Sequence, residues 1–134
     1  MSSLNAFLNP IQVENKKVVI SERFLEDGKP VPFIIRPINQ QENKEIIRKH
    51  TKRDKKGKEV FDQVSYAQEL TAAAVVFPDL ENAELQKRYG VLGAAKLLKK
   101  MLLIGEFADL SIAVKELSGL DKDINEDIEE AKNS

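Results

Sequence analysis

Few polar residues of this chain have the types and spacing that catalysis or metal binding needs. His50 is the single histidine among 134 residues, and cysteine is absent. A metal site built on imidazole or thiolate therefore lacks a second ligand, and there is no thiol nucleophile. Arg48, Lys49 and Lys52 flank His50 in the sequence. We interpret His50 as a histidine at the surface or at the rim of the core.

Carboxylates and glycines do not form a catalytic pattern either. The six glycines are dispersed singly, whereas a phosphate-binding loop or a nucleophile elbow needs them at fixed, close spacing. The segment from Asp121 begins like a calcium-binding EF-hand loop. Its sixth position is Glu126 where glycine is needed, and its twelfth is Lys132 where a glutamate is needed. We predict a protein that is not an enzyme and that uses no metal or cofactor.

Positive charge is concentrated in residues 48–59. This run holds seven lysines and arginines and two acidic residues, a density that can contact a phosphate backbone. Lys52, Arg53, Lys55 and Lys56 would make those contacts. The favoured interpretation is nevertheless a solvated loop, because no aromatic residue interleaves with the charges to stack bases and the whole chain has a net charge of -1.

The elements that position these residues begin with a strand-forming segment at residues 17–36. Apolar clusters at residues 18–20 and 31–35 lie on either side of Asp27-Gly28, which is a β-hairpin signal. Two prolines interrupt the second cluster, so its strand is predicted either to begin near Phe33 or to lie at a sheet edge. We predict that residues 17–36 hold all the strands of the chain and pack on helices.

Helical periodicity continues from Asn39 to Gly119. Five helices are predicted: residues 40–52 behind an Asn39/Glu42 cap, a helix from Val60 that stops before Pro78, Glu81 to Tyr89 ending at Gly90, a helix through Ala94, Leu97, Leu98, Met101 and Leu102, and one through Phe107, Leu110, Val114 and Leu117. The predicted fold class is therefore α+β and predominantly α-helical, with a small N-terminal β-hairpin followed by about five helices.

The predicted domain organisation is a single domain with a loose segment at each end. Residues 1–16 are a flexible N-terminal segment, and residues 17–120 are the domain, with the hairpin at 17–36 and the helical part at 39–119. Residues 121–134 contain six acidic residues and two lysines, and such a tail is predicted to be frayed or disordered. No segment reaches the roughly 18 apolar residues that a membrane span needs, so a cytoplasmic location is expected.

Several short pieces of the chain carry a family resemblance. They are Pro78-Asp79-Leu80, Met101-Leu102-Leu103 followed by Gly105-Glu106, and Leu117-Ser118-Gly119. In their order along residues 31–120, they resemble the XkdN-like family of phage tail assembly chaperones, found in phages and prophages of Gram-positive bacteria.

The resemblance implies a non-enzymatic protein that binds the tape measure protein and keeps it soluble for tail-tube assembly. The major tail protein is a further partner that it suggests. The implied location is the cytoplasm of the bacterial host, and the chaperone is not expected in the mature virion. Two alternatives stay open: a nucleic-acid-associated phage accessory protein that acts through residues 48–58, and a structural tail component.

A holding chaperone for a long helical client needs an apolar surface that accepts amphipathic helices. Residues 101–104 are apolar on every side, which is typical of a core but also of a surface for a client or for self-association into a homo-oligomer. We expect Leu97, Met101, Leu102 and Ile104 to bind the client. Met101 suits this role because its side chain adapts to varied partners.

Overall fold

Short antiparallel strands and six helices build residues 3–120, the part of the chain that a computed structural model describes. The helices are α1 (Leu4–Leu8), α2 (Gln40–Lys49), α3 (Gln63–Ala74), α4 (Ala83–Tyr89), α5 (Ala94–Met101) and α6 (Ile104–Leu117). The strands are β1 (Lys16–Val18), β2 (Leu25–Glu26), β3 (Lys29–Pro30), β4 (Phe33–Ile35), β5 (Thr51–Arg53), β6 (Glu59–Phe61) and β7 (Val75–Phe77). The fold is α+β, with 47% of the described residues in helices, which confirms the predicted class. Helices α2 to α6 are the five helices expected after the first strands.

Three strands form one antiparallel sheet in the order β1-β4-β7, so β1 lies at an edge. Val18 of β1 lies opposite Phe33 of β4. Strand β4 begins at Phe33, which is the first of the two predicted alternatives, and it lies at the centre of the sheet and not at an edge. Asp27-Gly28 does not join these two strands directly, because it closes a smaller hairpin of β2 and β3. Asp27 and Gly28 both have positive φ, 52° and 75°, the geometry of a tight type I′ hairpin turn.

Strand β7 contradicts the prediction that residues 17–36 hold all the strands. It follows α3 without a loop and pairs with β4, with Ile34 opposite Phe77. Pairing on this side satisfies backbone groups of the central strand that would otherwise be buried without partners. The helix therefore ends at Ala74, and Val75, which the helical pattern included, belongs to the sheet.

The hairpin of β5 and β6 is a second correction. Arg53 lies opposite Glu59, so the run predicted to be a solvated loop is a hairpin with an exposed tip. The Asp54 carboxylate stabilises the tip by accepting the backbone N–H groups of Lys56 and Lys58, both at 2.9 Å. As a result α2 ends at Lys49, not at residue 52, and α3 begins at residue 63, not at residue 60.

The predicted start of α2 and the predicted end of α4 agree with the structure. The Asn39 side chain accepts the N–H of Glu42 at 2.9 Å and caps α2. The Glu42 carboxylate also binds the Arg36 guanidinium at 2.7 and 2.9 Å. Gly90 ends α4 with φ 68°, the left-handed conformation expected of a glycine after a helix.

The core lies between the three-stranded sheet and the helices, with α3 in contact with α2, α5 and α6. Its largest fully buried side chains are Ile35, Thr71, Leu97, Leu98, Leu110 and Val114. Helix α1 contributes no buried residue, and the flexibility predicted for residues 1–16 stays a prediction. The acidic tail predicted at residues 121–134 lies outside the described residues.

Candidate partner-binding site

An apolar groove lies beside the β2–β3 hairpin. Its lining comes from residues 23–26 and 31–33, from Phe77 and Pro78, and from Leu85, Tyr89 and Met101. The groove encloses about 450 Å³, a volume within the range of sites that bind drug-sized ligands. We call these residues the apolar groove. It can receive a few apolar side chains of a partner.

Aromatic contacts fix one wall of the groove. The rings of Phe24 and Phe33 lie with centroids 6.0 Å apart and planes at 56°, a tilted arrangement that aromatic pairs favour. The Arg23 guanidinium lies 5.0 Å from the centroid of the Phe24 ring, within the range of a cation–π contact. Phe24 is therefore held from two sides, and the wall is preformed.

An ion pair joins this wall to the junction between α5 and α6. Arg23 donates from Nε to the Glu106 carboxylate at 2.9 Å and from Nη2 to the carbonyl of Met101 at 3.0 Å. Glu106 also accepts the N–H of Leu103 at 2.8 Å. The hydrogen bond from Arg23, with further bonds from Ser21 and Leu103, lowers the pKa of Glu106 to about 2. The carboxylate is therefore ionised at neutral pH and ties the two parts of the chain together.

The four residues expected to bind a client lie in different environments. Leu97 is 0% exposed and Met101 is 7% exposed, whereas Ile104 is 92% exposed. Leu102 is partly buried against the core. Of the four, Met101 lines the apolar groove. Leu97 is inside the protein in this conformation, and Ile104 lies at the exposed start of α6.

The residues proposed for nucleic-acid contact are all exposed on the β5–β6 hairpin. Lys52 and Arg53 lie on β5, while Lys55 and Lys56 lie in the tip. Arg53 approaches Glu59 at 3.9 Å, and both side chains are well exposed. Such a pair is weak because water and salt screen it. The hairpin therefore presents mostly unneutralised positive charge.

His50 lies at the edge of the core, as interpreted from the sequence. Its Nε2 is 3.0 Å from the Glu69 carboxylate, which also accepts from Lys49 Nζ at 3.3 Å. Over residues 3–120, no group of three or more His, Cys, Asp or Glu side chains is placed to hold a metal ion. None of the helices in that range is long and apolar enough to cross a membrane.

Sequence reasoning missed most of the groove. Phe24 and Leu25 precede a turn, and Phe77-Pro78 marks the end of a predicted helix. Because the local structure accounts for each of these residues, the sequence does not indicate that they line one groove. The groove exists because β7 brings Phe77 beside β4 and because the β2–β3 hairpin folds toward α4 and α5. The one available signal was an apolar residue on each side of the Glu26–Lys29 turn, Leu25 and Val31.

The fold and the groove define a small α+β protein whose distinctive surface is suited to binding another chain. The chain belongs to the Phage XkdN-like tail assembly chaperone family, whose model matches residues 4–132. Tail assembly chaperones are not enzymes, which confirms the prediction of a non-catalytic protein.

Individual relatives agree with this assignment. The chain is 30% identical to the phage-like element PBSX protein XkdN of Bacillus subtilis strain 168, over 92% of this chain and 87% of XkdN. It is 32% identical to the uncharacterized protein YqbN of the same strain, over 90% of this chain and 85% of YqbN. A crystal structure of YqbN matches the fold with a TM-score of 0.75 at 24% identity, covering 89% of this chain and 98% of that one.

Proposed function

We propose that this chain is a phage or prophage tail assembly chaperone that binds the tape measure protein and keeps it soluble until the tail tube is assembled. It acts in the cytoplasm of the bacterial host and is absent from the finished virion. Membership of the tail assembly chaperone family supports the general role. The observation that carries the choice of partner is the apolar groove, because a long helical client offers apolar stripes that need covering.

The groove suits an amphipathic helix better than a polar ligand. Leu25 and Phe77 at its rim are about half exposed, at 56% and 47%, so a partner can cover them without unfolding the protein. Covering one such side chain contributes up to about 1.5–3 kcal/mol. Met101 also lines the groove, and its flexible thioether side chain can adjust to different client segments.

The other residues expected to bind the client take separate roles in this proposal. Leu102 and Ile104 continue the contact surface beyond Met101 toward α6. Leu97 supports Met101 from inside the core, one helical turn earlier on α5. The major tail protein is a second partner, since delivery of the client ends at the growing tube.

A solubility assay with tape measure fragments tests the function. Light scattering of a fragment should fall when the protein is added in excess. Leu25→Glu should weaken this effect about tenfold or more, because it places a charge where an apolar contact worth at least about 1.4 kcal/mol is made. Leu92→Glu is the matched control, since Leu92 is 84% exposed and outside the groove.

Three outcomes would contradict the proposal. Unchanged aggregation at excess wild-type protein would reject the chaperone role for this client. Equal behaviour of Leu25→Glu and Leu92→Glu would reject the groove as the binding site. Presence of the protein in purified virions would favour a structural tail component.

The exposed charge of the β5–β6 hairpin favours one alternative function, an accessory protein that binds nucleic acid. Retention of the wild-type protein on DNA or RNA, decreasing steeply with salt, would support it. That retention should disappear when Lys52, Arg53, Lys55 and Lys56 are replaced by glutamine. Retention that survives the fourfold replacement would reject the hairpin as the contact.

A further inference from the structure

Five cations around the β5–β6 hairpin have no acidic partner in the described part of the chain. They are Arg48, Lys52, Lys55, Lys56 and Lys58, and none forms an ion pair with a residue of 3–120. We call them the cationic cluster. The nearest acid in the tip, Asp54, is engaged with two backbone N–H groups. The cluster is therefore an exposed surface that attracts an anionic partner.

The same chain contains a segment of opposite charge. Residues 121–134 hold six acidic residues and two lysines. The excess of negative charge is close to the five positive charges of the cationic cluster. Charge complementarity of this kind determines which partner binds and how fast it associates more than how tightly it binds.

The tail begins within reach of the cluster. Ser118, just after α6, accepts the N–H of Ile38 at 2.8 Å, so the end of α6 lies beside the start of α2. Helix α2 then covers about 15 Å before β5 begins, with the hairpin at its far end. Fourteen residues can span up to about 45 Å, which is several times the distance along α2.

We propose that residues 121–134 bind the cationic cluster of their own chain and shield it from phosphate backbones. The interaction surface is the β5–β6 hairpin with the end of α2, and the partner is an acidic peptide segment. The proposal does not depend on the apolar groove. Because the contact is electrostatic and exposed, it weakens as salt shortens the Debye length from about 10 Å at 0.1 M to about 3 Å at 1 M.

Paramagnetic relaxation enhancement on the full chain tests the contact. The chain has no cysteine, so Ser134→Cys gives a unique site for a spin label. At low salt, the amide signals of β5, β6 and the tip should broaden, and the broadening should vanish in about 1 M salt. Replacement of Lys52, Lys55 and Lys56 by glutamine should abolish it.

The matched control neutralises a different set of exposed lysines. Lys96, Lys99 and Lys100 lie exposed on α5, and their replacement by glutamine should leave the broadening of the hairpin unchanged. Unaffected hairpin signals at low salt, or broadening of α5 in place of the hairpin, would overturn the proposal. In a mixed sample, one set of molecules carries the spin label and another set carries the isotope label, so broadening reports contacts between two copies. If the broadening arises only in such a mixture, the contact joins two copies and the proposal is overturned.

DNA affinity gives a second and independent measurement. In the full chain, the six acids of the tail are replaced by their amides. This variant should bind duplex DNA about tenfold more tightly than the wild type, with log K falling against log salt at a slope of about -4 if the cluster meets four or five phosphates. Wild-type protein that binds DNA as tightly as the variant would show that the tail does not shield the hairpin, and would favour nucleic-acid binding as a function of this surface.

Discussion

Replacing Leu97 by alanine separates a core role from a client-binding role for this residue. Leu97 is 0% exposed and lies on α5 where that helix contacts α3. Removing a fully buried leucine side chain costs about 2–5 kcal/mol, the lost burial plus the cavity that remains. We expect a loss of about 3 kcal/mol in the free energy of unfolding. For a chain of this size, that loss lowers the melting temperature by roughly 10–15 °C.

Urea unfolding monitored by circular dichroism measures this loss, with Leu92→Ala as the control. Leu92 is 84% exposed, so its replacement should change stability by less than about 0.5 kcal/mol. Below the melting temperature, Leu97→Ala should still suppress client aggregation, because the rim of the apolar groove is unchanged. A Leu97→Ala protein of wild-type stability that fails to suppress aggregation would refute this reasoning and make Leu97 a client contact.

Three further predictions concern single residues. The pKa of Glu106 is lowered from 4.5 to about 2 by Arg23, so its stabilisation is present above pH 4.5 and is lost as pH falls toward 2. The urea midpoint of the wild type should therefore drop more between about pH 6 and about pH 3 than that of Glu106→Gln, and equal drops would contradict the ion pair. Asn39→Ala should cost about 1 kcal/mol by removing the cap of α2, while Asn39→Asp should retain stability in urea unfolding, and equal losses in both would exclude capping. Gly90→Ala should cost about 1 kcal/mol because φ is 68°; a melting temperature unchanged by this replacement would show that the turn relaxes.

The sequence predicts elements whose signals are local. The Asn39 cap, the glycine after α4 and the apolar spacing of α5 and α6 lie within one or two turns of the helices that they define. The β1–β4 pair is predicted because two apolar runs flank a turn signal. The same local reasoning assigns that turn to the wrong strands, since two short strands are inserted between the apolar runs.

Elements that depend on distant contacts were missed. Every residue of β5 and β6 except Thr51 is exposed, so the alternation of buried and exposed side chains that marks a half-buried strand is absent. Strand β7 continues the apolar pattern of α3, and only its pairing with β4 makes it extended. The apolar groove joins five such separate pieces. The periodicity of apolar residues within one segment does not predict which distant segments come together.

The β1 edge of the three-stranded sheet affects whether a foreign strand can pair with this protein. β1 lies at that edge, and two of its three residues are Lys16 and Lys17. Lysines on an edge strand oppose the addition of a foreign strand, which is how native sheets avoid templating aggregates. The β1 edge therefore opposes strand addition, whereas Phe77 of the other edge strand, β7, lines the apolar groove that we propose for a helical partner.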